Sequence, residues 1–248
     1  MMINQNADKY DRVTSQYIVA YLDLLGVTDR IRRDEGYQMI ALNKLHNLYT
    51  FTMYLASKIA IEGYQDIQFK IFSDNIVIAK KLSKQPDRRV LDIKCLLNCV
   101  SHFQCLSVED GVGWLVRGGI TVGELFLDET MVWGKALLKA YDLECRIAIY
   151  PRIIIDCEML SEIVTNRDLS EYVLQDFDNM YFLNYLCIQH FGGQLLMNGF
   201  VKMQGELEGE ISETIYQKLC WHINYVNKEL DKKNEKGEKK YRLSFKQS

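Results

Sequence analysis

Two carboxylates stand out by position, one interrupting an apolar strand and one at the tip of a predicted turn. Asp23 interrupts the apolar run Tyr17-Ile-Val-Ala-Tyr21-Leu-Asp23-Leu-Leu25. Burying a lone carboxylate is costly unless it is paired or binds a cation. Asp74 lies at the tip of a predicted hairpin, after the alternating residues 66–72 and before the apolar residues 75–79. Ser73-Asp74-Asn75 is also good turn chemistry, so Asp74 taken singly reads as a turn residue. Taken together, two carboxylates brought close repel unless a proton or a metal lies between them. Oxygen donors of this kind suit Mg²⁺ or Mn²⁺, with phosphate oxygens completing the shell. Gly26 follows three residues after Asp23. A glycine between strand and helix lets backbone N–H groups turn toward a phosphate, although most such glycines only make the turn.

Other reactive residues read more simply. Cys95, Cys99, His102 and Cys105 are spaced 4, 3 and 3 apart. One helix rarely supplies a full tetrahedral zinc shell, so core packing is the expectation. Seven cysteines, an odd number without a CxxC pair, imply a reduced chain. His46, His102, His190 and His222 are isolated and read as packing or surface residues. Tyr172, Phe177, Tyr181, Phe182, Tyr185, Trp221 and Tyr225 are spaced for packing. No convincing Ser/His/Asp or Cys/His arrangement is present.

The elements that must position the carboxylates follow from periodicity. Strands are expected at 17–25, 66–72, 75–79, 113–123 and 152–156, and helices at about 36–62, about 88–108 and from Gly134 to about 148. The C-terminal third looks mostly helical, above all over 211–232. The order β-α-β-β-α-β, then α-β, predicts an α+β, ferredoxin-like mixed sheet with helices on one face. In that topology the first strand and the 66–79 hairpin are neighbours, so Asp23 and Asp74 meet.

At 248 residues, 48% hydrophobic and 25% charged, the composition is that of a globular chain and excludes a disordered or coiled-coil protein. A net charge of −3 argues against broad nucleic-acid binding. No apolar run approaches a membrane span, and the first residues lack a secretory core, so a cytoplasmic chain is expected, without membrane or nucleic-acid partners. The mixed-sign stretch 231–240 reads as a solvated helix end and loop.

These residues together resemble the class III nucleotidyl cyclase catalytic domain. That family reads roughly Phe-x-Asp-Ile-x-Gly-Phe-Thr, then a Gly-Asp hairpin, then Arg-x-Gly-Ile-x-x-Gly, then Trp/Phe-Gly opening a helix. Here the matching residues are Tyr21-x-Asp23-Leu24-x-Gly26-Val27-Thr28, Ser73-Asp74, Arg117-Gly118-Gly119-Ile120-x-x-Gly123 and Trp133-Gly134. The resemblance covers about residues 17–156 and implies a catalytic core over 1–156, with 157–248 a mostly helical extension of the same domain. It also implies two Mg²⁺ or Mn²⁺ ions held by Asp23, Asp74 and the Leu24 carbonyl, and a triphosphate held by the backbone of 24–28, including Gly26, Val27 and Thr28. The 3′-hydroxyl would attack the α-phosphorus and pyrophosphate would leave, with no protein nucleophile.

The departures from the family pattern narrow the resemblance. Where adenylyl cyclases carry an adenine-reading Asp just before the Trp/Phe-Gly pair, this chain has Met131. The companion lysine is matched by Lys70. The helical Asn and Arg of the family are matched by Leu138 and Asp142. The segments Phe72-Ser73-Asp74-Asn75-Ile76-Val77, Val116-Arg117-Gly118-Gly119-Ile120, Gly134 to Glu144 and Tyr150-Pro151-Arg152-Ile153 resemble the stand-alone pyrimidine cyclases of the Pycsar antiphage systems. That resemblance implies a homodimer making cyclic UMP from UTP, or cyclic CMP from CTP, as a signal for a separate effector.

With the usual arginine absent, Arg117 is the first candidate for positive charge. It would bond a pyrimidine carbonyl or a phosphate, or else form a structural ion pair. Lys70 should point away from the core, toward solvent or nucleotide. Lys135, Lys139 and Arg146 form a stripe that reads as a solvated face, with a phosphate contact from Lys139 the lesser alternative. Arg152 and Glu144 are expected to pair with each other. Three rival readings apply to the same residues. An Asp-x-Asp-x-Thr phosphatase fails because Leu25 occupies the second carboxylate position. A diguanylate-type domain lacks its Gly-Gly-Asp/Glu-Glu-Phe signature. A catalytically inactive nucleotide-binding dimerisation module remains.

Overall fold

β1 (Ser15–Leu24) is a ten-residue strand whose Tyr, Ile, Val, Ala and Leu side chains are buried on both faces, as suits a strand inside a sheet. The computed structural model describes residues 13–58, 64–109, 112–188, 198–199, 203 and 213–234, so His190 and residues 235–240 lie outside the described residues. β1 pairs antiparallel with β3 (Asn75–Lys81) on one side and with β4 (Val116–Leu127) on the other. β2 (Gln68–Phe72) and β3 form the expected hairpin, with Phe72 opposite Asn75. The strand order β2-β3-β1-β4 is the ferredoxin-like arrangement. A two-residue β5 (Val132–Trp133) folds back on the end of β4, and β6 (Ile153–Ile155) runs parallel to β4.

Both faces of the sheet carry helices, not one. Ile18, Ala20, Leu22 and Leu24 pack beneath α2 (Tyr37–Lys58) and α3 (Pro86–Val108), in a core with Leu48, Leu97 and Phe103. Tyr17, Val19 and Tyr21 point the other way and pack with Val77 against Ala136 and Ala140 of α4 (Lys135–Asp142). An apolar run on both faces of β1 requires cover on both. The helix expected to reach 148 instead passes at Leu143 into a π-helical turn that ends at Ile147. The glycines of β4 allow α4 to lie close: a Cβ at Gly119 would sit 2.4 Å from the Ala140 carbonyl oxygen and 2.4 Å from Leu143 Cβ.

Over its described residues the C-terminal extension is mostly helical, as expected, and it also contributes two short strands to the sheet. α5 (Cys157–Val164) and α6 (Arg167–Ser170) are followed by β7 (Val173–Gln175) and β8 (Tyr181–Leu183), which extend the sheet through Ile154 opposite Phe182. Three-residue strands are too short to show alternation in sequence. α7 (Glu213–Asn234) then packs its Leu219, Tyr225 and Val226 with Phe182 and Tyr185. No described helix is long and apolar enough to cross a membrane.

The expected Arg152–Glu144 pair does not form. The fully buried Arg152 side chain reaches the β7–β8 turn, where it bonds Asp176 and both carboxylate oxygens of Asp178. Asp178 meets the guanidinium fork with both carboxylate oxygens, while Glu144 lies against Arg117 instead. Trp221 Nε1 donates to the same Asp176 at 2.8 Å and so fixes α7 to the sheet. The Cys95, Cys99 and Cys105 thiols and His102 are buried in α3, as packing requires, and burial pushes the Cys95 thiol up to about 11. Of the aromatics assigned to packing, Phe177 departs: it is 71% exposed on that turn and touches the Tyr150 ring.

Candidate active site

Register places three polar side chains on one face at the end of β1. Asp23 lies opposite Asn75 on β3 and opposite Arg117 on β4. Directly opposed residues in an antiparallel pair project to the same face. The hairpin brings Asp74 to the same place. Its turn starts at Ser73, whose φ of 61° is a left-handed conformation that a serine adopts only under constraint. The Leu24 amide donates to the Asp74 carbonyl oxygen at 2.9 Å. The Thr28 hydroxyl donates to Asp74 Oδ2, and Asn75 Nδ2 donates to Oδ1 at 3.1 Å. Tyr21 in turn donates its hydroxyl proton to Asn75 Oδ1 at 2.6 Å. Asp23 is raised above the usual carboxylate range, chiefly by burial; Arg117 opposes the rise and the Asp74 charge adds to it.

Arg117 takes the ion-pair alternative. Its Nε donates to Asp23 Oδ2 at 3.0 Å and lies 2.5 Å from Glu144 Oε1, the latter a charge contact without hydrogen-bond geometry. Glu144, on the π-helical turn, is a third carboxylate of the site and is raised by burial. A fifth charge comes from α7: Lys218 is half-buried, and its charge acts on Asp23, Glu144 and Arg117. Burial and Arg117 lower its pKa, and the two carboxylates raise it.

Gly26 has φ 79° and precedes α1 (Val27–Arg33), so it makes the turn that a side chain would strain. Val27 buries its side chain in the core, leaving only its backbone for a ligand. Lys70 shares a face with Val77 and Tyr21. Its Nζ donates to the Glu129 carbonyl at 2.8 Å, on the β4–β5 hairpin that also carries Met131. Lys139 is not part of a solvated stripe: its ammonium lies 2.6 Å from Asp156 and 2.7 Å from Glu158. Arg146 pairs with Asp142, and Leu138 is exposed.

The donor set fits a hard divalent cation. Arg117 bonds Asp23 Oδ2, so an ion shared with Asp74 would take Oδ1. Among the described residues no group of three or more His, Cys, Asp or Glu forms a protein-only cage. Mg²⁺-type sites commonly use one or two carboxylates, with water and substrate phosphate supplying the rest. Asp23, Arg117, Asp74, Gly26 and Thr28 are thus brought together, while Lys70 stands over the neighbouring hairpin. Glu144 and Lys218 were missed as site residues. Glu144 carries no local signal for its partner, and nothing in α7 distinguishes Lys218 from the other lysines.

No family model matches the chain, and no curated protein does. Among solved structures it is similar to the adenylyl cyclase CyaB from P. aeruginosa, with a TM-score of 0.46 and 17% identity over 68% of this chain and 94% of that one. It is also similar to the monomeric guanylyl cyclase domain of the RhoGC fusion protein from Blastocladiella emersonii, at 0.47 and 14% over 69% and 95%. The guanylate cyclase domain of RhGC from Catenaria anguillulae, in complex with GTP, gives 0.44 and 13% over 68% and 96%. The strand order and registers given above describe the fold without these.

Proposed function

We propose that the chain is a pyrimidine nucleotide cyclase that converts UTP to 3′,5′-cyclic UMP and pyrophosphate, with CTP to cyclic CMP as the second substrate reading. The observation that carries this is the convergence of Asp23 and Asp74, tied by the Leu24–Asp74 hydrogen bond, at a glycine turn. The 3′ oxygen bonds the α-phosphorus, the bond to the β-phosphate oxygen breaks with its electron pair on pyrophosphate, and the hydroxyl proton passes to solvent. Two Mn²⁺ or Mg²⁺ ions would favour ionisation of the hydroxyl and offset the charge on pyrophosphate. Asp23, Asp74 and the Leu24 carbonyl would hold them. Arg117 orients Asp23 and balances Glu144, and the backbone over 24–28 holds the triphosphate.

A pyrimidine is favoured by the place where a purine amino group would be read. Met131 accepts no hydrogen bond from that group, and Lys70 beside it supplies a donor suited to a ring carbonyl. Catalysis sits in the core, 1–156, and 157–248 belongs to the same domain. A homodimer is supported by apolar side chains left open around α4 and the two hairpins: Phe72, Met131, Trp133, Leu138 and Tyr141. The product then acts as a second messenger for a separate effector in antiviral defence, in the cytoplasm.

The test is incubation of the full chain with each nucleoside triphosphate and Mn²⁺. Cyclic monophosphate and pyrophosphate from UTP or CTP, lost in Asp74→Ala, support the cyclase. Binding without turnover identifies an inactive nucleotide-binding module instead.

A further inference from the structure

A cavity of about 510 Å³ opens beside the glycine turn, walled by Gly26, Arg30 and Arg33 from the first strand–helix unit, Trp114 from the approach to β4, and Ile215 and Lys218 from α7. Its three basic side chains outnumber the single Asp29 carboxylate on its wall. They are not equivalent. The Arg30 guanidinium lies over the Tyr37 ring, 4.1 Å from its centroid, which holds it along the wall. Arg33 donates from Nε to the Asp29 carbonyl at 3.2 Å. Lys218 lines the cavity together with Gly26, and its charge acts on Asp23, Arg117 and Glu144. Its ammonium makes no salt bridge or hydrogen bond to a described residue. Arg117 is taken up by two carboxylates, and on α4 Lys139 is held by Asp156 and Glu158. Among the described residues Lys218 therefore has no close anion, and an anion at the cavity would offset the cost of half-burying its charge.

We infer that Lys218 contacts the polyphosphate end of the nucleotide, so that α7 of the C-terminal extension supplies the phosphate-binding cation of the site. This rests on the cyclase reading for the nucleotide's identity, but the contact itself requires only a polyphosphate. A flexible ammonium with three donors suits a phosphate chain whose oxygens move during pyrophosphate release. It also explains why the extension reaches back to the glycine turn.

The experiment is calorimetric titration of the full chain with inorganic tripolyphosphate and Mg²⁺, for the wild type, Lys218→Gln, Lys218→Arg and Lys228→Gln, the last an exposed lysine of the same helix. Lys218→Gln is expected to weaken binding about tenfold or more, the loss of one charged hydrogen bond. Lys218→Arg should retain most of the affinity, and Lys228→Gln all of it. Melting temperatures should stay level, since glutamine removes a half-buried charge. Unchanged tripolyphosphate affinity in Lys218→Gln, or an equal loss in Lys228→Gln, overturns the assignment. Assays with UTP and CTP separate the two claims. A wild type that makes no cyclic product but binds tripolyphosphate through Lys218 defeats the cyclase reading alone. A wild type that makes cyclic product with the same KM as Lys218→Gln defeats the Lys218 assignment alone.

Discussion

The Leu24 amide donates to the carbonyl oxygen of Asp74 at 2.9 Å, so the end of β1 and the tip of the β2–β3 hairpin form one unit. The bond lies next to Asp23 in the chain and on Asp74 itself. It holds together two carboxylates that would otherwise repel, and Thr28 and Asn75 then fix the Asp74 side chain. A backbone contact of this kind needs neither side chain, so the chemistry of the carboxylates should be separable from the fold.

Asp74→Asn should therefore fold as the wild type does and lose cyclic product by about 100-fold or more, the scale of removing a principal electrostatic group from a site. Near-UV circular dichroism and a product assay with UTP and Mn²⁺ check both halves. Loss of the folded signal would mean that the turn depends on the charge.

Arg117 should couple to Glu144 in stability. Arg117→Ala leaves Asp23 and a buried Glu144 without their cation, and is expected to cost about 1–3 kcal/mol, less than for a fully buried pair because Arg117 is partly exposed. Glu144→Gln in the same chain should recover a large share of that loss. Urea unfolding of the two single variants and the double variant measures the coupling. Additive losses would show that the 2.5 Å contact contributes nothing.

Much of this site was legible because it depends on local patterns. The run from Tyr17 to Leu25 announces a strand, Asp23 breaks it, and Ser73-Asp74-Asn75 between two apolar runs announces a turn. Ferredoxin-like order then places the two aspartates together. The partner of Glu144 was not legible, because sequence gives no register between a π-helical turn and β4. Asp176 and Asp178 win Arg152 from a turn between two strands of three residues each, too short to read. Lys218 lies 195 positions from Asp23 (218 − 23), and the pattern of α7 does not show where that helix docks.

Gly119→Ala should destabilise the chain and reduce activity together. The added methyl would meet the Ala140 carbonyl oxygen and Leu143 Cβ, both at 2.4 Å, and lift the α4–π junction that carries Glu144. Overpacking of this kind costs about 1–3 kcal/mol, which for a domain of this size lowers the melting temperature by about 2–4 °C per kcal/mol. An unchanged melting temperature would mean that α4 sits farther from β4.

His222 sets a pH dependence of stability. Burial lowers its pKa to about 4, with the Pro151 carbonyl opposing, and its ring lies 2.8 Å from the Tyr185 hydroxyl. The unfolded chain therefore binds more protons than the folded one between about pH 4 and 6.5, and stability falls as pH drops through that window. Lowering the pH from 7.5 to 5 should remove about 2 kcal/mol through this residue. Urea unfolding at the two pH values, for the wild type and His222→Asn, isolates the effect; parallel pH dependences would contradict it.

The most direct measurement is Mn²⁺ titration of the full chain with UTP present, followed by electron paramagnetic resonance of the free ion. Saturable Mn²⁺ binding that is lost in both Asp23→Asn and Asp74→Asn is the expected result. Binding that persists unchanged in both variants would place the cations elsewhere and contradict the account.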